Sequence, residues 1–144
     1  MEDDLKCDDK YLEKEMLRIR KNVFKKSKHG SGFQNAGVMA KWWGNKIKEQ
    51  CESCAYCKTP IRVIEKLIST GRLKGRRTRG IGMRGPFLEL ERVDSGTNKY
   101  APENCALICY YCNNDKSNVY SREEYIEFLA PAKNKHFMHL FGSV

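Results

Sequence analysis

The chain has 144 residues, enough for one modest apolar core and not for two, so a structural metal would help it to fold. Lys and Arg outnumber Asp and Glu 27 to 18, and an acid-rich opening of fifteen residues leaves thirteen excess positive charges on the remainder. The body of the chain is therefore expected to face a polyanion. No apolar run approaches the ~20 residues of a spanning helix and no charged-then-apolar leader opens the sequence, which favours a soluble protein facing nucleic acid over a membrane partner.

After the acidic opening, Asp8 or Asp9 can cap a helix in which Leu12, Met16, Ile19 and Val23 share a face. Lys25, Lys26, Lys28 and His29 crowd its end, and Gly30 stops it. A second helix is expected over 35–49, with Met39, Trp43 and Ile47 on one stripe; Trp42 falls off it, leaving base stacking open beside core packing. Thr59 and Pro60 read as cap and first turn of a third helix whose face of Ile61, Ile64, Leu67 and Ile68 ends at Gly71.

From Lys66 to Leu88 there is no acid, while Lys66, Arg72, Lys74, Arg76, Arg77, Arg79 and Arg84 alternate with five glycines. A cationic, Gly-rich loop of this kind can follow a phosphate backbone closely, and the alternative is a solvated loop. Residues 87–93 have strand composition, 94–104 read as a long connection, and 105–110 as the return strand. Ser121 with Glu124 forms a capping box for a last helix that buries Tyr125, Phe128 and Leu129, with Pro131 after its end.

Seven cysteines, an odd number, are expected as thiols of a reducing compartment. Two pairs have metal spacing, Cys54-x2-Cys57 and Cys109-x2-Cys112. Each grips a metal through two thiolates on a tight turn, and together they fill a tetrahedral zinc site. Cys51 is spaced from Cys54 in the same way and is the alternative to Cys57; Cys7 and Cys105 are spare. His29, His136 and His139 read as surface or packing residues.

The stretch LELERVDSGTNKYAPENCALICYYCNNDKSN, preceded by CAYCKTP, resembles the ββα-metal core of the HNH nucleases. The likeness covers residues 54–128 and is closest to the branch with Asp-Arg where most members have Asp-His, which includes restriction and phage enzymes. It implies an α+β fold in a single domain: a helical extension over 1–50, a zinc-bound core over 51–130 with the basic loop 66–88, and a tail over 131–144. It also supports Cys54 and Cys57 as ligands, because CAYCKTP is similar to the family's knuckle.

Carried over by position, the resemblance makes Glu91 the metal-binding acid, puts Arg92 in the base position, and gives Asn104 as the loop residue and Asn118 as the helical ligand. Oxygen donors of this kind suit Mg²⁺ or Mn²⁺. On a continuous helix Asn118 would lie roughly 180° around from Cys109, with Asn114 one turn earlier in reserve. A guanidinium does not accept a proton near neutral pH, so Arg92 would bind phosphate, leaving Tyr100 or Asp94 to activate water. The implied activity is metal-dependent hydrolysis of DNA, with double-stranded DNA as partner and a two-fold dimer as one way to cut both strands. The implied setting is the cytoplasm, as in a bacterial or phage-infected cell. The alternative is a non-catalytic binding module on the same scaffold.

Overall fold

The computed structural model describes residues 8–24, 32–80, 82–94 and 100–143. Cys7, His29, Gly30, Lys25, Lys26, Lys28 and the connecting residues 95–99 lie outside that description. Among the described residues the fold mixes helices with two two-stranded sheets, which bears out the α+β class. No helix among the described residues is long and apolar enough to cross a membrane. The chain forms two compact units, Met1–Glu52 with Glu91–Leu107, and Ser53–Leu90 with Ile108–Val144.

In the first unit, Asp8 caps α1 (Asp9–Arg18) by accepting from the Lys10 N–H, and a π-turn over Ile19–Val23 extends it. The apolar spacing places Leu12 and Ile19 in the core. Asn35 caps α2 (Ala36–Glu49), which buries Met39, Trp43 and Ile47 as its stripe requires. Trp42 is half-buried, and its ring lies edge-on to Phe33 at 5.2 Å, so packing accounts for it. Beyond α2, the Gln50 amide exchanges hydrogen bonds with the Leu107 backbone, donating to its carbonyl at 2.8 Å and accepting from its N–H at 3.3 Å.

In the second unit, α3 (Ile61–Ser69) buries Ile61, Ile64 and Leu67. Thr59 does not cap it. Pro60 occupies the cap position, and the wholly buried Thr59 hydroxyl instead meets Cys57 Sγ at 3.3 Å and accepts from Asn134 Nδ2 at 3.0 Å. Part of the expected basic loop is a hairpin, β1 (Arg76–Thr78) against β2 (Gly82–Arg84), antiparallel with Arg77 opposite Met83. Gly75 permits the close approach at its base, since a Cβ there would meet the Arg84 carbonyl oxygen at 2.5 Å.

Strands β3 (Leu88–Arg92) and β4 (Cys105–Cys109) pair in the second sheet. Helix α4 (Tyr110–Lys116) then stops at Ser117, whose left-handed φ of 43° breaks the spiral. Asn118 is therefore in a turn and not on the helix, and the angular argument that set it opposite Cys109 does not apply.

Ser121 caps α5 (Arg122–Glu124) through the Glu124 N–H as its capping box requires. A π-turn over Tyr125–Leu129 follows, and α6 (Ala130–Gly142) continues to the end of the description. Pro131 thus opens a helix where a helix end was expected: in the first turn its missing N–H costs no hydrogen bond. The π-turn inserts a residue into the repeat, so Tyr125 is buried while Phe128 is 66% exposed, contrary to expectation. The helix α6 buries Phe137, which packs edge-on to Tyr111 at 5.5 Å. Phe137→Ala is expected to cost about 3–5 kcal/mol in urea unfolding, as for a core aromatic; a loose tail would show no change.

Candidate functional site

The four sulfurs of Cys54, Cys57, Cys109 and Cys112 are buried and lie within 4.8 Å of one another. Two turns bring them together. The Lys58 N–H donates to the Cys54 carbonyl at 2.9 Å, and Lys58 takes the left-handed φ of 63° that returns the knuckle toward α3. On the other side Cys109 is the N-cap of α4, its sulfur accepting from the Cys112 N–H at 3.4 Å.

A tetrahedral zinc with bonds of ~2.3 Å separates its sulfurs by about 3.8 Å, and Cys57 Sγ and Cys109 Sγ are 4.0 Å apart. The group can hold a metal ion, and four thiolates suit zinc. Hydrogen bonds with Cys109 and Cys112 hold the Cys57 thiol far below its usual range, and hydrogen bonds with Cys112, Cys54 and Cys57 push Cys109 well above it. Four mutually bonded thiols in a dry pocket share protons that a divalent cation displaces. Burial, with Cys112 beside it, also raises the Tyr125 phenol, whose oxygen has no hydrogen-bond partner otherwise. A metal-bound thiolate is the acceptor that such an orphan hydroxyl fits.

Cys51 is exposed and outside the group, so Cys57 and not Cys51 completes it. Cys105 is buried on β4, and burial lifts its thiol to about 11.

The first unit brings four of the expected site residues together at the end of the β3–β4 hairpin. The Asn104 side chain clasps Asp94, accepting from its N–H at 3.0 Å and donating to its carbonyl at 3.2 Å, while the Val93 N–H donates to the Asn104 carbonyl at 2.7 Å. Arg92 lies over the Tyr100 ring at 4.9 Å. Tyr100 is positioned by its carbonyl, which accepts from the Gly32 N–H at 2.7 Å; a Cβ on Gly32 would sit 2.9 Å from Ala101. Glu91 precedes Arg92 on the strand and is half-buried, and the Asp94 side chain is exposed. Asn118 belongs to the other unit and is exposed, as is the reserve ligand Asn114 on α4.

Of the basic residues, Lys74, Arg76, Arg77 and Arg79 are exposed, and Arg72 donates to Ser143 Oγ at 2.6 Å. Arg84 is committed internally. It forms a two-point ion pair with Glu89, at 2.6 and 2.8 Å, and lies over the Tyr110 ring at 4.6 Å. The Glu89 carboxylate also accepts from Asn113 Nδ2 at 2.9 Å. Sequence reasoning missed this Arg84–Glu89–Asn113 cluster, although Glu89 shares strand parity with Glu91 and Asn113 directly follows Cys112.

Comparison of the chain with family models, curated proteins and solved structures returns no match.

One bound zinc per chain is expected by elemental analysis, lost on replacing Cys54, Cys57, Cys109 or Cys112 with Ser and retained in Cys51→Ser and Cys105→Ser. Alkylation of the native protein near pH 8 is expected at Cys51 and not at the buried, protonated Cys105.

Proposed function

We propose that the protein is a metal-dependent DNA endonuclease of the HNH type, with structural zinc in the thiolate group and Mg²⁺ or Mn²⁺ at Glu91. The observation that carries this reading is the clasp beside Glu91, in which Asn104 fixes the Asp94 backbone and Tyr100 supports the Arg92 guanidinium. A guanidinium held against an aromatic face next to a carboxylate is fixed in position, and a fixed cation is useful at a phosphodiester. A single protein carboxylate fits Mg²⁺, which keeps several waters and takes up substrate phosphate oxygens.

Glu91 would provide an oxygen donor to Mg²⁺ or Mn²⁺, which would supply Lewis-acid stabilisation of charge on the phosphate and on the leaving 3′ oxygen. Arg92 neutralises the non-bridging oxygens as the pentavalent transition state forms, and Asp94 accepts the proton of the attacking water. The water oxygen bonds to phosphorus as the bond to the 3′ oxygen breaks, and that oxygen takes a proton from solvent. The products are a 5′-phosphate and a 3′-hydroxyl.

A non-catalytic DNA-binding module is the second reading, and the placement of Asn118 beyond the end of α4 favours it. Incubation with supercoiled and linear DNA, with Mg²⁺, with Mn²⁺ and without added metal, separates the two. Cleavage is expected only with metal and is abolished by Glu91→Gln. Arg92→Lys retains part of it, whereas Arg92→Leu loses roughly 10²–10³-fold, as for removal of one transition-state donor. Asp94→Asn abolishes it and Tyr100→Phe does not; the reverse pattern moves water activation to Tyr100. Wild-type protein that binds DNA and cuts nothing under either metal, with Asn118→Ala indistinguishable from it, establishes the binding module instead.

A further inference from the structure

We propose that the β1–β2 hairpin lies in the major groove of B-form duplex DNA, with Arg77 donating to a guanine edge and Met83 packing on a thymine methyl. This rests on the DNA-directed reading above and adds to it the form of the substrate and the residues that read its sequence.

The pairing register decides which side chains face outward. Arg77 and Met83 are direct cross-strand partners and so project from one face, while Arg76, Thr78 and Arg84 project from the other. That second face is turned inward at Thr78 and Arg84, with Arg76 exposed at its end: Thr78 Oγ1 is buried, and Arg84 is held by Glu89 and Tyr110. Arg77 and Met83 are exposed, and among the described residues no carboxylate pairs with Arg77. A free guanidinium and a thioether therefore stand side by side at the outer surface of a narrow ribbon.

Three properties match this ribbon to one groove. A two-stranded β-ribbon fits the major groove of B-DNA, about 12 Å wide, and not the deep, narrow major groove of A-form RNA. Charge is complementary, since Lys74 and Arg79, just outside the first strand, add exposed cations suited to phosphates, and no acid occurs between Lys66 and Leu88. Met83 is 42% exposed in this cationic hairpin, where contact with phosphate alone gives an apolar side chain nothing to bury against. The thymine methyl is the apolar feature of the major groove, and guanine O6 and N7 form the acceptor pair that a guanidinium engages at two points.

The ribbon is also held in place before it meets DNA. The Tyr111 hydroxyl donates to the Lys74 carbonyl at 2.8 Å on the first strand's side, and the Arg84–Glu89 pair fixes the second strand. A reading face fixed in this way loses little conformational entropy on binding.

The test uses the full chain with zinc and no added Mg²⁺ or Mn²⁺, so that DNA is bound and not cut. Sequences selected by wild-type protein from a randomised duplex are probed with dimethyl sulfate, which reports guanine N7 in the major groove and adenine N3 in the minor groove. Guanine N7 protection is expected with wild-type protein and is lost in Arg77→Ala, with preference for the selected guanine falling roughly five- to 150-fold. Met83→Ala is expected to lose preference for a thymine while keeping the N7 protection. Zinc content and thermal unfolding of both variants, unchanged from wild type, show that the hairpin and not the fold is affected. Protection confined to adenine N3, N7 protection that survives Arg77→Ala, or equal affinity for an RNA duplex of the same sequence would overturn the proposal. Cleavage is read separately with Mg²⁺: an enzyme that cuts without N7 protection loses the groove assignment and keeps the nuclease reading. Protein that protects N7 and never cuts does the opposite.

Discussion

The four-cysteine group is the constraint on which the second unit depends. It ties the turn before α3 to the start of α4, two segments more than fifty residues apart in sequence, and each ligand pair is also part of the local backbone geometry. Cys109 caps α4 as well as facing the other sulfurs, so the helix and the metal group form together. Structural zinc contributes ~10–16 kcal/mol to folding in small peptides, as much as the whole net stability of a domain. A unit formed from about half of a 144-residue chain has a small core, and a cross-link of this kind compensates for it.

The consequences run outward along α4. Tyr111 leaves the helix to hold Lys74 at the base of the basic hairpin, Asn113 reaches Glu89, and Tyr110 lies under the Arg84 guanidinium. One short helix beside the sulfur group therefore positions the hairpin proposed to meet DNA. A metal ion held by the four sulfurs would fix the start of α4 and, through Tyr111, the base of the hairpin. The opposite side of the group is closed by the buried Thr59, whose hydroxyl links the Cys57 sulfur to Asn134 on α6.

Much of this was legible because spacing carries strong physical meaning. Two Cys-x2-Cys pairs named all four sulfurs, and the apolar stripes of α1, α2 and α3 followed the helical repeat. The clasp residues Arg92, Asp94, Tyr100 and Asn104 were named from the family likeness and are brought together in the first unit. Other features depend on events that composition does not mark. The strands Arg76–Thr78 and Gly82–Arg84 lack the β-branched alternation of a half-buried strand, and tight approach at Gly75 shapes their base instead. Asn118 falls off α4 because of one left-handed residue at Ser117, and a single π-turn turns Phe128 outward and lets Pro131 begin a helix. Thr59 has the composition of a cap, but burial gives its hydroxyl to a cysteine and an asparagine.

Glu89 shows how electrostatics assigns a role to a carboxylate that composition alone leaves open. Glu89 and Glu91 share parity along the strand, and either could serve a cation by composition alone. Both oxygens of Glu89 are occupied, one by Arg84 Nη2 and Asn113 Nδ2 and the other by Arg84 Nε. A divalent ion there would displace a two-point charge-assisted pair and face the guanidinium directly, so Glu89 is a structural anion that anchors the hairpin. Arg92, next to Glu91 on the same strand, lies over the Tyr100 ring at 4.9 Å, the same kind of cation–aromatic contact that Arg84 makes on Tyr110.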